Sequence, residues 1–445
     1  MDLLEELEDL APRIDPAHLE LLGRGLPKEW IEAGLSASGV TTLRRRRLPA
    51  EQVIWLVIGM ALMRGRSIDD VASKLEIALP STEGRDVARS ALAQARKRVG
   101  AAPLQWLFEK MGPWACEQAK TDRWRGLSVL AMDGSKLCVA DSEANAAHFG
   151  RHHSGKLSTA SAYPMLRIVW LLDVHSRVVR AAQFGPYATA ELTYAKLLFT
   201  SIPTDSVVIL DRLYHGSPTL LPIVAAANRH FLVRTKSNSK WRVLSTFADG
   251  DDVVEVTVSD EARAADASLP KTYIARAVRT RTPKNQYTLL TSLVDAQQYP
   301  ADEIRALYRE RWEVEIAYDE LKTELLVQEP TLRSRSVDGV EQEMWGTLLA
   351  YNLVRMEIAA AAREAKVPPR RISFVMAMRL ITDEWLWDSH AKPGAIPKHL
   401  KRLRANLKKF ILPPRRSERS YPRVVKRKES SYPRKRSESL RNLPN

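Results

Sequence analysis

Tyr308-Arg-Glu-Arg-Trp-Glu-Val-Glu-Ile-Ala-Tyr-Asp-Glu-Leu-Lys322 sets a tyrosine, an arginine, a glutamate and a lysine on one side of a helix. At about 100° per residue, Tyr308, Arg311, Glu315 and Lys322 fall within an arc of roughly 60°. Leu307, Val314, Ala317, Leu321 and Leu325 form the adjacent apolar stripe, and Glu310, Glu313, Glu320 and Glu324 are expected to point the other way, toward solvent. The polar arc therefore borders the buried face, where a cleft would lie. A carboxylate held between two cations at a cleft edge suits a metal ion and a polyanion together, the acid holding the ion and the bases holding phosphate. An ordinary amphipathic helix with charge pairs has the same local pattern, so the decision rests on residues elsewhere.

Two aspartates supply it. Leu127-Ser-Val-Leu-Ala-Met-Asp133-Gly134 reads as a buried strand that ends on a carboxylate and opens into a glycine turn. Ser206-Val-Val-Ile-Leu-Asp211 repeats the pattern, a short apolar strand finishing on an acid. In an open sheet with helices on its faces, strand ends border the ligand crevice, so two strand-end aspartates and a helical glutamate can converge on divalent cations. Mg²⁺ suits such a site because it keeps oxygen ligands and needs only a few carboxylates beside water and phosphate.

Asp133, Asp211 and Glu315, with Tyr308, Arg311 and Lys322 in a Tyr-x2-Arg-x3-Glu-x6-Lys arrangement, resemble the acidic triad and signature helix of DDE transposases of the insertion-sequence-4 type. The resemblance spans roughly residues 30–365. It implies an α/β fold with a ribonuclease H-like catalytic core, in which a β-rich insertion separates the second aspartate from the glutamate. It further implies two Mg²⁺ ions, replaceable by Mn²⁺, held by the triad, and phosphate contacts from Tyr308, Arg311 and Lys322. A hairpin intermediate at the transposon end and a homodimer on paired DNA ends complete what it implies, with terminal inverted repeats and target DNA as partners.

The strand pattern agrees. Lys136–Asp141, Met165–Val174 and Arg177–Phe184 read as strands, with His175-Ser176 as a turn; then Ala190–Ser201 reads as a helix, Val207–Asp211 as a strand, Pro218–Ala227 as a helix and His230–Thr235 as a strand. Between Thr235 and Pro300 come short β-like runs, Val253–Val258, Thr272–Val278 and Gln286–Val294, broken at Asp-Gly, Leu-Pro and Thr-Pro. The domain layout that follows is a helical DNA-binding region over 1–120, a first core part over 121–235, the insertion over 236–300, final core helices over 301–365, C-terminal helices over 366–400 and a basic tail over 401–445.

In the first region, helices are expected over Glu51–Met63, Ile68–Leu75 with Ser67 as its cap, and Ala88–Val99. Helix, glycine turn and helix fit a helix-turn-helix, and Arg44–Arg47 just upstream could contact phosphate. Beyond the signature, Val340–Ala362, flanked by Arg335 and carrying Arg355, is expected to close the core, and Ile372–Trp387 to form a further helix suited to association between protomers.

Length and charge bound the rest. The 445 residues suffice for two or three units and a sizeable core. Net charge is +15, and residues 401–445 hold 16 Lys/Arg against 3 acidic residues, so this tail reads as disordered and suited to nucleic acid, or as a solvated terminus without a dedicated role. Cys116 and Cys138 have no metal-ligand spacing and point to a reducing compartment; the acidic N-terminus argues against a signal peptide, and the longest apolar run, Val53–Met63, is too short for a bilayer, so a cytoplasmic, nucleoid-associated protein is expected. His148, His152 and His153 lack the companions of a zinc site. The resemblance implies an aromatic in the insertion that stacks on a displaced base, a role Trp241 could fill, although core packing is the default for a tryptophan. The expected activity is metal-dependent transposition of an insertion sequence by cut-and-paste; a plain nuclease without strand transfer and an inactive DNA-binding regulator on the same fold remain alternatives.

Overall fold

The computed structural model describes residues 25–40, 48–75, 77, 87–153, 160–281, 286–326, 331–388 and 396–414. Helices open the chain: α1 (Lys28–Ala37), α2 (Ala50–Leu62), α3 (Ile68–Lys74), α4 (Arg89–Val99) and α5 (Ala102–Ala119). The core follows as β1 (Ser128–Val139), α6 (Glu143–Phe149), β2 (Arg151–His153), β3 (Ala160–Asp173), β4 (Val179–Pro186), α7 (Glu191–Leu197), β5 (Ser206–Leu210), α8 (Ser217–Val224) and β6 (Arg229–Arg234). Next come β7 (Arg242–Ala248), β8 (Asp251–Thr257), α9 (Asp260–Ala265), β9 (Thr272–Arg281) and β10 (Gln286–Thr291), then α10 (Ala301–Arg309), α11 (Trp312–Asp319), β11 (Thr331–Leu332), α12 (Val337–Ala365), α13 (Phe374–Asp388) and α14 (Ile396–Leu407).

Alternation at a period of two builds the sheet's two buried faces. On one face Val129, Ala131, Ile168, Trp170, Val207 and Ile209 pack against α11, α12 and the N-terminal helices; on the other Leu130, Met132, Val169, Leu171, Val208 and Leu210 pack against α7 and α8. β1, β3 and β4 are antiparallel neighbours, while β1, β5 and β6 run parallel, giving the order β4-β3-β1-β5-β6 of a ribonuclease H-like core. The insertion strands do not form a sheet of their own. β10 pairs with β6, and β9, β8 and β7 continue outward from it, so the β-rich segment extends the core sheet. β7 and α9 are absent from the sequence reading; β7 is an outer strand with exposed side chains, where no buried alternation marks it.

Two expectations about β1 need correction. Asp133 does not end its strand, and Lys136–Asp141 is not a separate one, because β1 runs unbroken from Ser128 to Val139 with Asp133 opposite Trp170 of β3. What ends is its neighbour. β5 pairs with β1 only over Ser128–Ala131, and β11 joins the same edge only at Cys138–Val139, which leaves the stretch around Asp133 as a notch.

The signature segment also departs from one uniform helix. α10 ends at Arg309, amides of Glu310, Arg311, Glu313 and Val314 bond three residues back, and Glu320–Leu325 widens into a π-helical turn. The apolar stripe is buried as expected, but Glu313 and Glu320 are buried too, at 5% and 8% exposure, and do not face solvent. They are buried because cations cover that side. Arg177 donates from Nε to Glu313 Oε2 (2.7 Å) and from Nη1 to Glu320 Oε1 (2.6 Å), and Arg355 and the Tyr351 hydroxyl donate to the other Glu320 oxygen. Glu310 bonds His175 Nε2 at 3.1 Å and lies near Arg370, and Glu324 is half-buried.

α12 joins the N-terminal helices to the C-terminal ones. α2 is buried on nearly every side and packs on α12, where Gly346 allows close approach: a Cβ there would lie 2.5 Å from Val57 Cγ1. Arg64 reaches Glu343 and the Thr331 carbonyl, Arg96 bonds Gln342 (2.8 Å) and Arg98 bonds the Leu48 carbonyl (2.7 Å), so these bases serve internal anchoring. Ser67 caps α3 as expected, accepting from Asp70 N. Arg44–Arg47 lie outside the described residues. The basic tail begins later than expected, because α14 runs to Leu407 with Leu400, Leu403 and Leu407 buried and Arg404 bonded to Glu357 at 3.2 Å. Residues 415–445 lie outside the described part.

Glu320→Ala would leave Arg355, fully buried, and Arg177 without their shared carboxylate. The expected loss is about 3–5 kcal/mol in urea unfolding, against roughly 0.5 kcal/mol or less for Glu32→Ala on the exposed face of α1. Equal effects would show that the buried network contributes nothing.

Candidate active site

The β1–β5 register positions the two aspartates. Ala131 is paired with Ile209, so continuing the parallel register by two residues brings Asp133 alongside Asp211, on the face covered by α11. Each carboxylate is oriented by a neighbouring amide: Asp133 Oδ1 accepts from Gly134 N (2.8 Å), and Asp211 Oδ1 accepts from Leu213 N (2.7 Å) as the cap of the turn Arg212–Tyr214. Strand adjacency thus does what a separation of 78 positions cannot reveal.

α11 brings the remaining groups over the notch. The Tyr318 ring stacks on Trp170 at 3.8 Å and its hydroxyl donates to the Asp133 carbonyl at 2.8 Å, fixing the helix against β1. Arg311 lies between two acids, with Nη2 2.5 Å from Glu315 Oε1 and Nη1 3.9 Å from Asp133 Oδ2. Lys322, carried on the π turn, donates to Ser135 Oγ at 2.5 Å. Tyr308 is 8% exposed and its ring lies 6.1 Å from that of Tyr287. Ser135, Tyr318 and Glu191, which lies against Gly134, are absent from the sequence reading, and nothing in their local spacing could have found them.

The electrostatics follow from burial. Desolvation pushes the Asp133 carboxyl up to about 7, with Asp211 and Glu191 adding to the rise and the Gly134 amide and Arg311 opposing it. Burial lowers the Lys322 ammonium from its ordinary range, and raises the Tyr308 phenol to about 12, so that this hydroxyl is a neutral donor. Among the described residues no three His, Cys, Asp or Glu side chains converge into a closed metal cage; Asp133 and Asp211 adjoin, and Glu315 pairs with Arg311. The donor set is nevertheless all oxygen and anionic, the type that suits a hard divalent cation and not zinc. Of the histidines, His152 bonds the Tyr187 hydroxyl through Nδ1 at 2.8 Å and His148 meets Phe149 edge-on. The His153 side chain lies outside the described part. Trp241 is half-buried against the second core face.

A ribonuclease H-like sheet whose central strand carries one acid beside a second at the end of the next strand, with a glutamate, an arginine and a lysine overhead, defines an enzyme of phosphoryl transfer on nucleic acid. A family model described as "Transposase DDE domain" matches residues 124–353, and one described as "Insertion element 4 transposase N-terminal" matches residues 16–109. Transposase InsG for the insertion sequence element 4 of Escherichia coli is 33% identical over 439 residues, covering 97% of this chain and 98% of that one. InsZ of the same organism is 34% identical over 245 residues, covering 54% of this chain and 79% of that one. Among solved structures, a piggyBac transposase synaptic complex with hairpin DNA is a remote likeness, with a TM-score of 0.42 and 13% identity over 91% of this chain and 87% of that one. The chain belongs to the DDE transposases of the insertion-element-4 family, enzymes that cut and transfer DNA.

The raised Asp133 carboxyl has a consequence for stability. In the unfolded chain this group ionises near 3.8, whereas in the folded chain it keeps its proton up to about 7, so folding is disfavoured progressively as pH rises between the two values. Asp133→Asn should therefore stabilise the protein in chelator by about 1–3 kcal/mol at pH 8 and much less at pH 4. Thermal unfolding at the two pH values measures it, and an equal shift at both would contradict the buried, proton-retaining carboxyl.

Proposed function

We propose that this transposase cuts DNA at the ends of its own element and joins those ends to target DNA by cut-and-paste. The observation that supports this best is the β1–β5 register, which ends at Ala131 and Ile209 and leads directly to Asp133 and Asp211, under a segment that carries Arg311, Glu315 and Lys322. Asp133, Asp211 and Glu315 would hold the divalent cations, Mg²⁺ with Mn²⁺ able to substitute, which activate the attacking water or 3′-hydroxyl and stabilise the leaving oxygen.

The protein's own groups bind and orient the phosphates. Arg311 presents a planar fork to a phosphate, a geometry that an ammonium cannot reproduce. Its guanidinium is shared with Glu315 and Asp133, so an entering phosphodiester competes for a cation already at the site. Burial disfavours the charge of the Lys322 ammonium, and an arriving phosphate would offset that cost. Tyr308, held neutral, donates a hydrogen bond to a phosphate oxygen without adding charge. Terminal repeats are read by the helical region 1–120, the insertion over 236–300 flanks the bound end, and two copies act together on paired ends, with a hairpin formed at each.

Asp133→Asn, Asp211→Asn and Glu315→Gln each keep shape and remove an anionic oxygen. Each should abolish Mg²⁺-dependent nicking of an end-containing duplex while leaving end binding within about threefold, since binding comes from other surfaces. A variant that nicks at the parental rate loses its place in the site. Strand transfer from precut ends distinguishes transposition from simple nuclease action.

Residues 415–445 carry 11 Lys/Arg against 3 acidic residues. A chain ending at Pro414 keeps α14 docked and should show weaker, less salt-dependent binding to arbitrary duplex, the log–log slope falling by about 0.9 for each phosphate no longer neutralised. An unchanged slope would mark this segment as passive.

A further inference from the structure

The acidic end of the sheet holds a carboxylate outside the triad. Glu191 opens α7, on the opposite face of the sheet from α11. Its carboxylate occupies the space where a side chain at Gly134 would stand: a Cβ on Gly134 would lie 2.2 Å from Glu191 Cδ and 2.5 Å from Oε2. Gly134 directly follows Asp133, so the missing side chain lets Glu191 reach the notch from behind. The Tyr214 hydroxyl, fully buried, donates to Oε1 at 2.9 Å, and Arg167 Nη1 approaches Oε2 at 3.4 Å. Tyr214 closes the turn that Asp211 caps, so one hydrogen bond ties Glu191 to the second aspartate's segment.

Its contacts with the Gly134 backbone position and with Tyr214, in the turn that Asp211 caps, locate the Glu191 carboxylate at the sheet end between the two aspartate segments. As an acid in the first turn of α7, Glu191 would gain the same helix-terminus stabilisation facing solvent. Turned instead toward the sheet end, its carboxylate is met by the Tyr214 hydroxyl and by a long contact to Arg167. A divalent cation at the notch would supply the close counter-charge that this long contact does not.

We propose that Glu191 is a further ligand of the catalytic cation, reaching it past Gly134 from the opposite face of the sheet, directly or through one of the ion's water molecules. The proposal rests on the assignment of Asp133 and Asp211 as metal ligands. Glu191→Gln keeps the acceptor for Tyr214 and the shape above Gly134 while removing the charge. Mn²⁺ binding to the full chain without DNA, followed by calorimetry and by the loss of free-ion electron spin resonance, should be about 10–100-fold weaker in this variant, with its melting temperature and duplex binding unchanged.

Asp133→Asn is measured alongside. If Asp133→Asn binds Mn²⁺ like the parent, the metal assignment itself fails and this proposal with it. If Asp133→Asn loses affinity while folded Glu191→Gln keeps it, Glu191 alone is overturned and serves only Tyr214 and Arg167. Should Glu191→Gln not fold, Glu191→Asp decides the matter: it keeps the charge but withdraws the carboxylate by one methylene, so weakened Mn²⁺ binding supports the role and parental binding overturns it.

Discussion

β5 stops at Leu210 while its neighbour β1 continues to Val139, and that inequality governs the rest of the molecule. A strand edge inside a protein cannot be left without partners, because buried backbone groups need hydrogen bonds. Here the edge is completed by a helix. α11 crosses the gap, the Tyr318 hydroxyl takes the Asp133 carbonyl, and Lys322 reaches Ser135, so the groups that cover the edge also bring the signature residues onto the two aspartates. The same notch supplies both the structural demand for α11 and the cleft beneath it.

Anions gathered at one sheet end need cations close by, and the chain provides them on two sides. Toward the notch, Arg311 is shared by Asp133 and Glu315. Behind α11, Arg177 and Arg355 hold Glu313 and Glu320, with Arg177 turned inward by a left-handed backbone at φ 58°. A helix fixed on its back by buried ion pairs cannot roll, and the rotation of Glu315 and Lys322 about its axis is set there. The π turn begins at Glu320, which accepts from Arg177, Tyr351 and Arg355 in that network.

α12 carries this rigidity to the helices on either side of the core. It contributes Tyr351 and Arg355 to the network, Glu343 and Gln342 to the N-terminal helices, and Glu357 to Arg404 of α14. Helices flanking the core in sequence are therefore packed on the element that braces the signature segment.

Much of this is legible in the chain. Continuous apolar runs announce β1, β3, β5 and β6, and the Tyr-x2-Arg-x3-Glu-x6-Lys spacing together with Asp133 and Asp211 points to the family, because a run of apolar residues reports a strand buried on both faces. The buried glutamates are not legible: Glu313 and Glu320 look solvent-facing until Arg177, more than 130 residues earlier, is folded against them. Asp133 reads as a strand end because the sequence marks where apolar character stops, whereas the relevant boundary belongs to the neighbouring strand. β7 has no buried face to announce it, and α14 is hidden by its basic residues. Glu191 is invisible for the same reason as the notch itself: its role depends on a glycine 57 positions away that leaves room for it, a relation of space that no local pattern encodes. The sequence by itself determined which residues are acids, bases and core; only tertiary structure decided which charges meet, because pairing depends on strand register and helix docking between segments far apart in the chain.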